Sequence, residues 1–439
     1  MIDFLHKKLG DFWFYSLMIF CAMRAADALN MFVGLWLVPK YVPQDELGAV
    51  LPLTTFATAI AIPAYVFAMT FMKELNTLAT KKEFGKMKSL MRGVFVGMGL
   101  FLFLSILIAK LTMPLFMERM RLVEGSLGFL IIASAFLGCT SPVYTNALQG
   151  LKKFKAISLI NIIGAPIRLL TMLVAMPFRA ISGYFIGQSS VPAFQIFASI
   201  FFLRKELSVK AEPYWTKPVF KSFSRLFAGM GLYIIIPMLT GLVEWTILRQ
   251  RLPSVESGAF YMVTRFSDIT GFVSGALLLT LFPFTSELAE NGKSTKSLVI
   301  KSSLVMLILG FASAILFWIF GEALLGFFPN GEDFAPYYWA IPWMAGITTL
   351  GSIQAFYTNT EVSAGRFGFL WWYAPFFAFW SILLLVITGY GYFKNIMPEP
   401  VFEFLKTHNI TSLKALLSFQ TVRILITQAI ITASIIRQK

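Results

Sequence analysis

Charge is scarce in this sequence. Of its 439 residues only 13% are Asp, Glu, Lys or Arg, about half of what a soluble chain carries. That leaves too little polar surface to cover a water-soluble globule of this length. Cysteine and histidine are scarcer still, with 2 of each. Cys21 and Cys139 both fall in apolar segments and give neither a disulfide framework nor a zinc spacing. His6 and His408 lie in terminal or loop stretches, with no HExxH pattern around them. A nucleotide loop is missing too. Gly292-Lys293-Ser294 has Glu287 where the phosphate-binding motif requires its first glycine. No catalytic constellation, metal site or cofactor is expected, and no enzyme activity.

What is present is hydrophobic. Apolar residues make up 57% of the chain and its mean hydropathy is +0.73. Runs of about 20 apolar residues, enough to cross a bilayer core, recur along it. Spans are expected near 13–38, 46–71, 92–114, 126–148, 156–177, 181–203, 226–248, 257–285, 298–320, 337–360, 367–390 and 412–436. The first is too long for a signal peptide and contains Arg24 and Asp27. The net charge of +15 does not imply nucleic-acid binding, because the cations sit in loops. Most of the loop Lys and Arg fall in the set containing both termini, which places both termini in the cytoplasm.

The chain also repeats itself. Tyr144-Thr145-Asn146 followed by Lys153-Phe154 returns as Tyr357-Thr358-Asn359 followed by Arg366-Phe367. Gly48-Ala49 with Thr54 and Phe56 returns as Gly258-Ala259 with Thr264 and Phe266. Both pairs are offset by about half the chain. The expected fold is therefore an all-α integral membrane protein of about twelve helices in two parallel-repeat six-helix bundles, 1–205 and 226–439. A basic linker, 206–225, joins them. Such repeats place a substrate path between the halves near the midplane, which is a transporter's organisation.

Two further stretches resemble a known family. Asn146-Ala147-Leu148-Gln149-Gly150-Leu151 running into Lys152-Lys153-Phe154 is similar to the junction of the fourth and fifth helices in the polysaccharide (O-antigen, Wzx-type) flippases. These belong to the multidrug/oligosaccharidyl-lipid/polysaccharide exporter (MOP) superfamily. Phe282-Pro283-Phe284 ahead of Ser286-Glu287-Leu288 resembles the end of the eighth helix there. The resemblance implies a V-shaped pair of bundles that moves a polyprenyl-pyrophosphate-linked oligosaccharide to the outer leaflet of the bacterial cytoplasmic (inner) membrane. It also implies membrane lipids, coupling H+ or Na+ and a polysaccharide polymerase complex as partners.

Ionisable residues inside spans are costly and mark function. Arg24, Arg168, Arg265 and Arg423 are candidates for a positive cavity that holds pyrophosphate, because guanidinium grips phosphate oxygens bidentately. Asp27, Glu244 and Asp268 are candidates for ion coupling, or for simple counter-ions to those arginines. Arg24–Asp27 and Arg265–Asp268 stand at i,i+3 and can pair within one helix. Arg168 and Arg423 have no acid within a turn. Asn146, Asn161, Gln188, Gln195, Gln354 and Asn359 can bond sugar hydroxyls or neighbouring helices. Thr264, Ser267, Asp268, Gly271, Ser274 and Gly275 form one small and polar stripe, which must face a cavity or another helix. A cation-coupled multidrug exporter and a non-transporting scaffold of a cell-envelope synthesis complex remain open as alternatives.

Overall fold

The computed structural model describes residues 24, 26–59, 75, 78, 81–119, 127–151, 153–214, 217–290, 294–363, 368–388, 399–400 and 411–437. One helical segment lies on each expected span. These are α1 (26–41), α2 (Val50–Ala59), α3 (Phe84–Arg119), α4 (Leu127–Gly150), α5 (Phe154–Ala175), α6 (Ala180–Leu207), α7 (Lys217–Arg251), α8 (Ser254–Glu290), α9 (Lys296–Phe327), α10 (Ala340–Ser363), α11 (Leu370–Thr388) and α12 (Leu413–Arg437). Seven of them, within the described residues, are long and apolar enough to cross a membrane. Expectations for 13–23, Cys21, residues 60–71 and Arg366-Phe367 fall outside the described residues, as does the side chain of Asn146.

The chain forms two compact units. The first comprises Met1–Val42 and Leu53–Met238, the second Pro43–Pro52 and Leu239–Lys439. In the first, α6 packs on α4 and α5. Its Gly183 and Gly187 are four residues apart, which puts both on one helical face. A Cβ at Gly187 would lie 2.1 Å from Met172 Cγ, and one at Gly183 would lie 2.6 Å from the Met176 backbone. Glycine is what lets α5 and α6 approach this closely. The outer face of α3 is apolar and exposed at Phe95, Leu100, Phe103, Leu107 and Leu111, as a lipid-facing helix requires.

In the second unit α10 is central and packs on α8, α9 and α12. Met306, Ile353 and Phe356 form a buried cluster between α9 and α10. Polar groups join the helices elsewhere: Trp343 Nε1 donates to Thr421 Oγ1 at 2.8 Å, and Ser381 Oγ to Thr240 Oγ1 at 2.9 Å. In a bilayer such bonds supplement packing, because lipid supplies no hydrophobic drive between helices. The short helix Gln44–Leu47 packs on α8, where a Cβ at Gly48 would fall 1.9 Å from Ser257 Oγ.

The two copies of the Tyr-Thr-Asn motif bond alike. Thr145 donates to the carbonyls of Ser141 and Pro142, and Thr358 to those of Gln354 and Ala355. Each hydroxyl is shared between the i−4 and i−3 carbonyls of its own helix.

Candidate functional site

The first unit encloses a cavity of about 550 Å³ between α1, α2, α4, α5 and α6. Its lining follows helical periodicity. On α5 it takes Asn161, Gly164, Ala165 and Arg168, which is an i, i+3, i+4, i+7 stripe. Ser134, Gly138 and Ser141 come from α4, Gln188 and Gln195 from α6, Asp27 and Asn30 from α1, and Thr54 and Thr58 from α2. The wall is therefore amides, hydroxyls and small residues, with one guanidinium and one carboxylate. Prolines add acceptors. Pro142 and Pro192 lie inside α4 and α6 and have no N–H to give the carbonyl four residues earlier. Those carbonyls belong to Gly138 and Gln188, both cavity residues.

Arg168 is held in place. Its Nη1 donates to Asn30 Oδ1 at 2.7 Å, which ties α5 to α1. Asp27 pairs with Arg24 of the same turn at 3.1 Å, as their i,i+3 spacing allows. Gln188 Nε2 donates to Tyr184 Oη at 2.6 Å. Asn161 and Gln195 line the same space. Cys139, also in the wall, is a buried thiol outside any disulfide.

The second unit holds the other candidates in different settings. Arg423 of α12 meets Glu244 of α7 at 2.6 Å, 179 residues away in sequence. The Glu244 side chain is buried and that of Arg423 half-buried. Gln420 also bonds the carboxylate, and the guanidinium lies 5.8 Å from the Phe377 ring centroid. Arg265 pairs with Asp268 at 2.9 Å and lies over the Tyr261 ring. On the polar stripe of α8 the hydroxyls turn to the helix's own backbone: Thr264, Ser267 and Ser274 each donate to one of its carbonyls. A Cβ at Gly271 would meet Thr348 of α10 at 3.9 Å. Asn359 likewise donates to Ala355 within α10.

Two features of the interior escaped sequence reasoning. Arg249, one residue past the expected end of the seventh span, is a last-turn arginine of α7 and only 2% exposed. Glu361, at the end of α10, is buried. For Arg249 no sequence signal marks the burial. For the cavity one does, because the i, i+3, i+4, i+7 pattern from Asn161 to Arg168 is visible in the chain. Among the described residues no group of three or more His, Cys, Asp or Glu gathers as metal ligands would.

No family model matches the sequence, and no curated protein is recognisably similar to it. Solved structures are similar along nearly the whole chain. An inward-facing multidrug-resistance MATE family transporter of the MOP superfamily superposes with TM-score 0.60 at 12% identity, covering 94% of this chain and 96% of that one. The chain has the fold of the MOP transporters. A variant of the Vibrio cholerae MATE transporter VcmN gives TM-score 0.63 at 11% identity, with 99% and 97% covered. The lipid II flippase MurJ, in an inward closed conformation, gives 0.57 at 11%, with 95% and 98% covered.

Proposed function

We propose that this chain is a flippase of the Wzx type, which moves a polyprenyl-pyrophosphate-linked oligosaccharide from the cytoplasmic to the outer leaflet of the bacterial cytoplasmic membrane. Two six-helix bundles, 1–205 and 226–439, would alternate access, driven by an H+ or Na+ gradient or by the membrane potential. Both termini would be cytoplasmic, and a polysaccharide polymerase complex would take the product. The observation that carries this reading is the guanidinium of Arg168 in a cavity whose other polar groups are amides, hydroxyls and the single carboxylate of Asp27. A sugar offers hydroxyls to Asn161, Gln188 and Gln195, and a phosphate offers oxygens to a guanidinium that stays charged in a low-dielectric site. The shared fold with a lipid II flippase agrees with a lipid-linked cargo. Arg24, Arg265 and Arg423 do not line this cavity, so within this reading they are secondary to Arg168.

A second reading, a cation-coupled drug exporter, draws on Asp27 in the same cavity and on the MATE neighbours. The two readings separate in an Arg168→Gln strain. Loss of one charge-assisted contact weakens binding by roughly ten- to a hundredfold, so a flippase loses surface polysaccharide and accumulates lipid-linked precursor inside. Unchanged surface glycan together with altered dye or drug efflux would establish the exporter instead. A scaffold would respond to neither measurement.

A further inference from the structure

A second cavity of about 380 Å³ opens on the wall of the first unit, at its basic end. Lys88 and Arg92 lie one turn apart on α3, with Tyr144 of α4 and Leu207 of α6 beside them. Phe95 and Val96 continue the same helix face, at i+7 and i+8 from Lys88. Beyond them Leu100 and Phe103 are 60% and 64% exposed. The face is thus divided along its length, cationic at one end and bare hydrocarbon at the other.

Two of the nearby acids are engaged elsewhere. Glu83 pairs with Lys86 at 3.0 Å, and Glu206 with Lys153 at 2.8 Å. Glu212 sits against Gly85, one turn before Lys88, and none of the three lines the cavity. Lys88 spends one N–H on the Val209 carbonyl at 2.9 Å, and an ammonium has three. Arg92 is exposed and, among the described residues, makes no ion pair.

We propose that this cavity binds the phosphate of an anionic phospholipid from the adjacent leaflet. Its acyl chain lies along Phe95, Val96, Leu100 and Phe103. Lys88, Arg92 and the Tyr144 hydroxyl supply donors at headgroup depth, and the apolar continuation of α3 supplies what a free phosphate cannot use. Basic pockets between membrane helices recognise such headgroups, with each cation contributing separately. The site stands apart from the transport cavity and does not depend on which cargo is moved.

The full-length protein in detergent, titrated with phosphatidylglycerol or phosphatidylcholine and read by native mass spectrometry, tests this. Wild type should retain phosphatidylglycerol in preference to phosphatidylcholine. Lys88→Gln with Arg92→Gln should weaken that retention about tenfold or more, at roughly fivefold per charge. Lys88→Arg with Arg92→Lys should keep it, which guards against a folding artefact. Arg204→Gln with Lys205→Gln, which removes two cations of the α6 last turn, should also keep it. Equal retention by the doubly neutralised variant would overturn the proposal. So would full displacement of the lipid by millimolar inorganic phosphate, which would mark a free-phosphate site.

Discussion

Arg423→Gln and Glu244→Gln remove opposite halves of one ion pair, and their surroundings make the two losses unequal. Side-chain exposure is 5% at Glu244 and 16% at Arg423. Without Arg423 the carboxylate keeps only Gln420 as a named partner. Leaving one charge of a buried pair uncompensated costs about 3–5 kcal/mol. Without Glu244 the guanidinium still has the Phe377 ring, worth about 1 kcal/mol, and part of its surface. That loss should be nearer 2–3 kcal/mol. For a unit of roughly two hundred residues, 1 kcal/mol shifts the midpoint by about 2–4 °C. Thermal unfolding in detergent should therefore fall by roughly 6–20 °C for Arg423→Gln and by less for Glu244→Gln. Glu244→Leu combined with Arg423→Met should recover most of the loss, because a well-packed apolar pair matches a buried ion pair. If Arg423→Gln melts like the parent yet abolishes export, the reasoning fails, and Arg423 is a cargo-binding cation.

Two other substitutions follow from close contacts. Gly48→Val would drive a side chain into Ser257, whose backbone carbon already lies 2.8 Å from an ideal Cβ at this position. Overpacking of this kind costs about 1–3 kcal/mol, and Ser257→Gly should restore only part of the melting temperature. Complete rescue would show that the backbones can part. Asn30→Ala should leave the melting temperature within a few degrees but lower transport severalfold, by releasing Arg168 from its 2.7 Å bond. Equal transport by this variant would mean that the tether to α1 does not position the guanidinium.

What could be read from the chain, and what could not, divides by sequence distance. Helix positions were legible because about twenty consecutive apolar residues have few other uses. The i,i+3 partnerships of Arg24 with Asp27 and Arg265 with Asp268 were legible too, because a single helix sets them. The partner of Arg423 was not, since nothing near it in sequence marks Glu244. The same holds for Asn30 and Arg168, which are 138 residues apart. The stripe on α8 was legible as a small and polar face, but such a face suits a cavity and a helix contact equally, and only the fold places Gly271 beside Thr348 of α10. Arg249 was misplaced for a related reason. A charge at the end of an apolar run signals a loop unless the neighbouring helices are known to enclose it.

The backbone of α1 sets how its polar end and its far end are aligned. Residues Val33–Leu37 form a π-turn, in which Val38 N–H reaches Val33 C=O, five residues back. One extra residue per turn sets the helix phase back by about 100°. Counted through that turn, Val38 lies within about 20° of Asn30 around the helix axis, so the cavity-side face of Asn30 continues into Val38. Val38 and Pro39 are buried, in keeping with a helix that changes surroundings half-way along. An unbroken α-helix of the same sequence would place Val38 about 80° round from Asn30. The π-turn lines the two up, so one side of α1 serves the cavity at Asn30 and the packed interior at Val38.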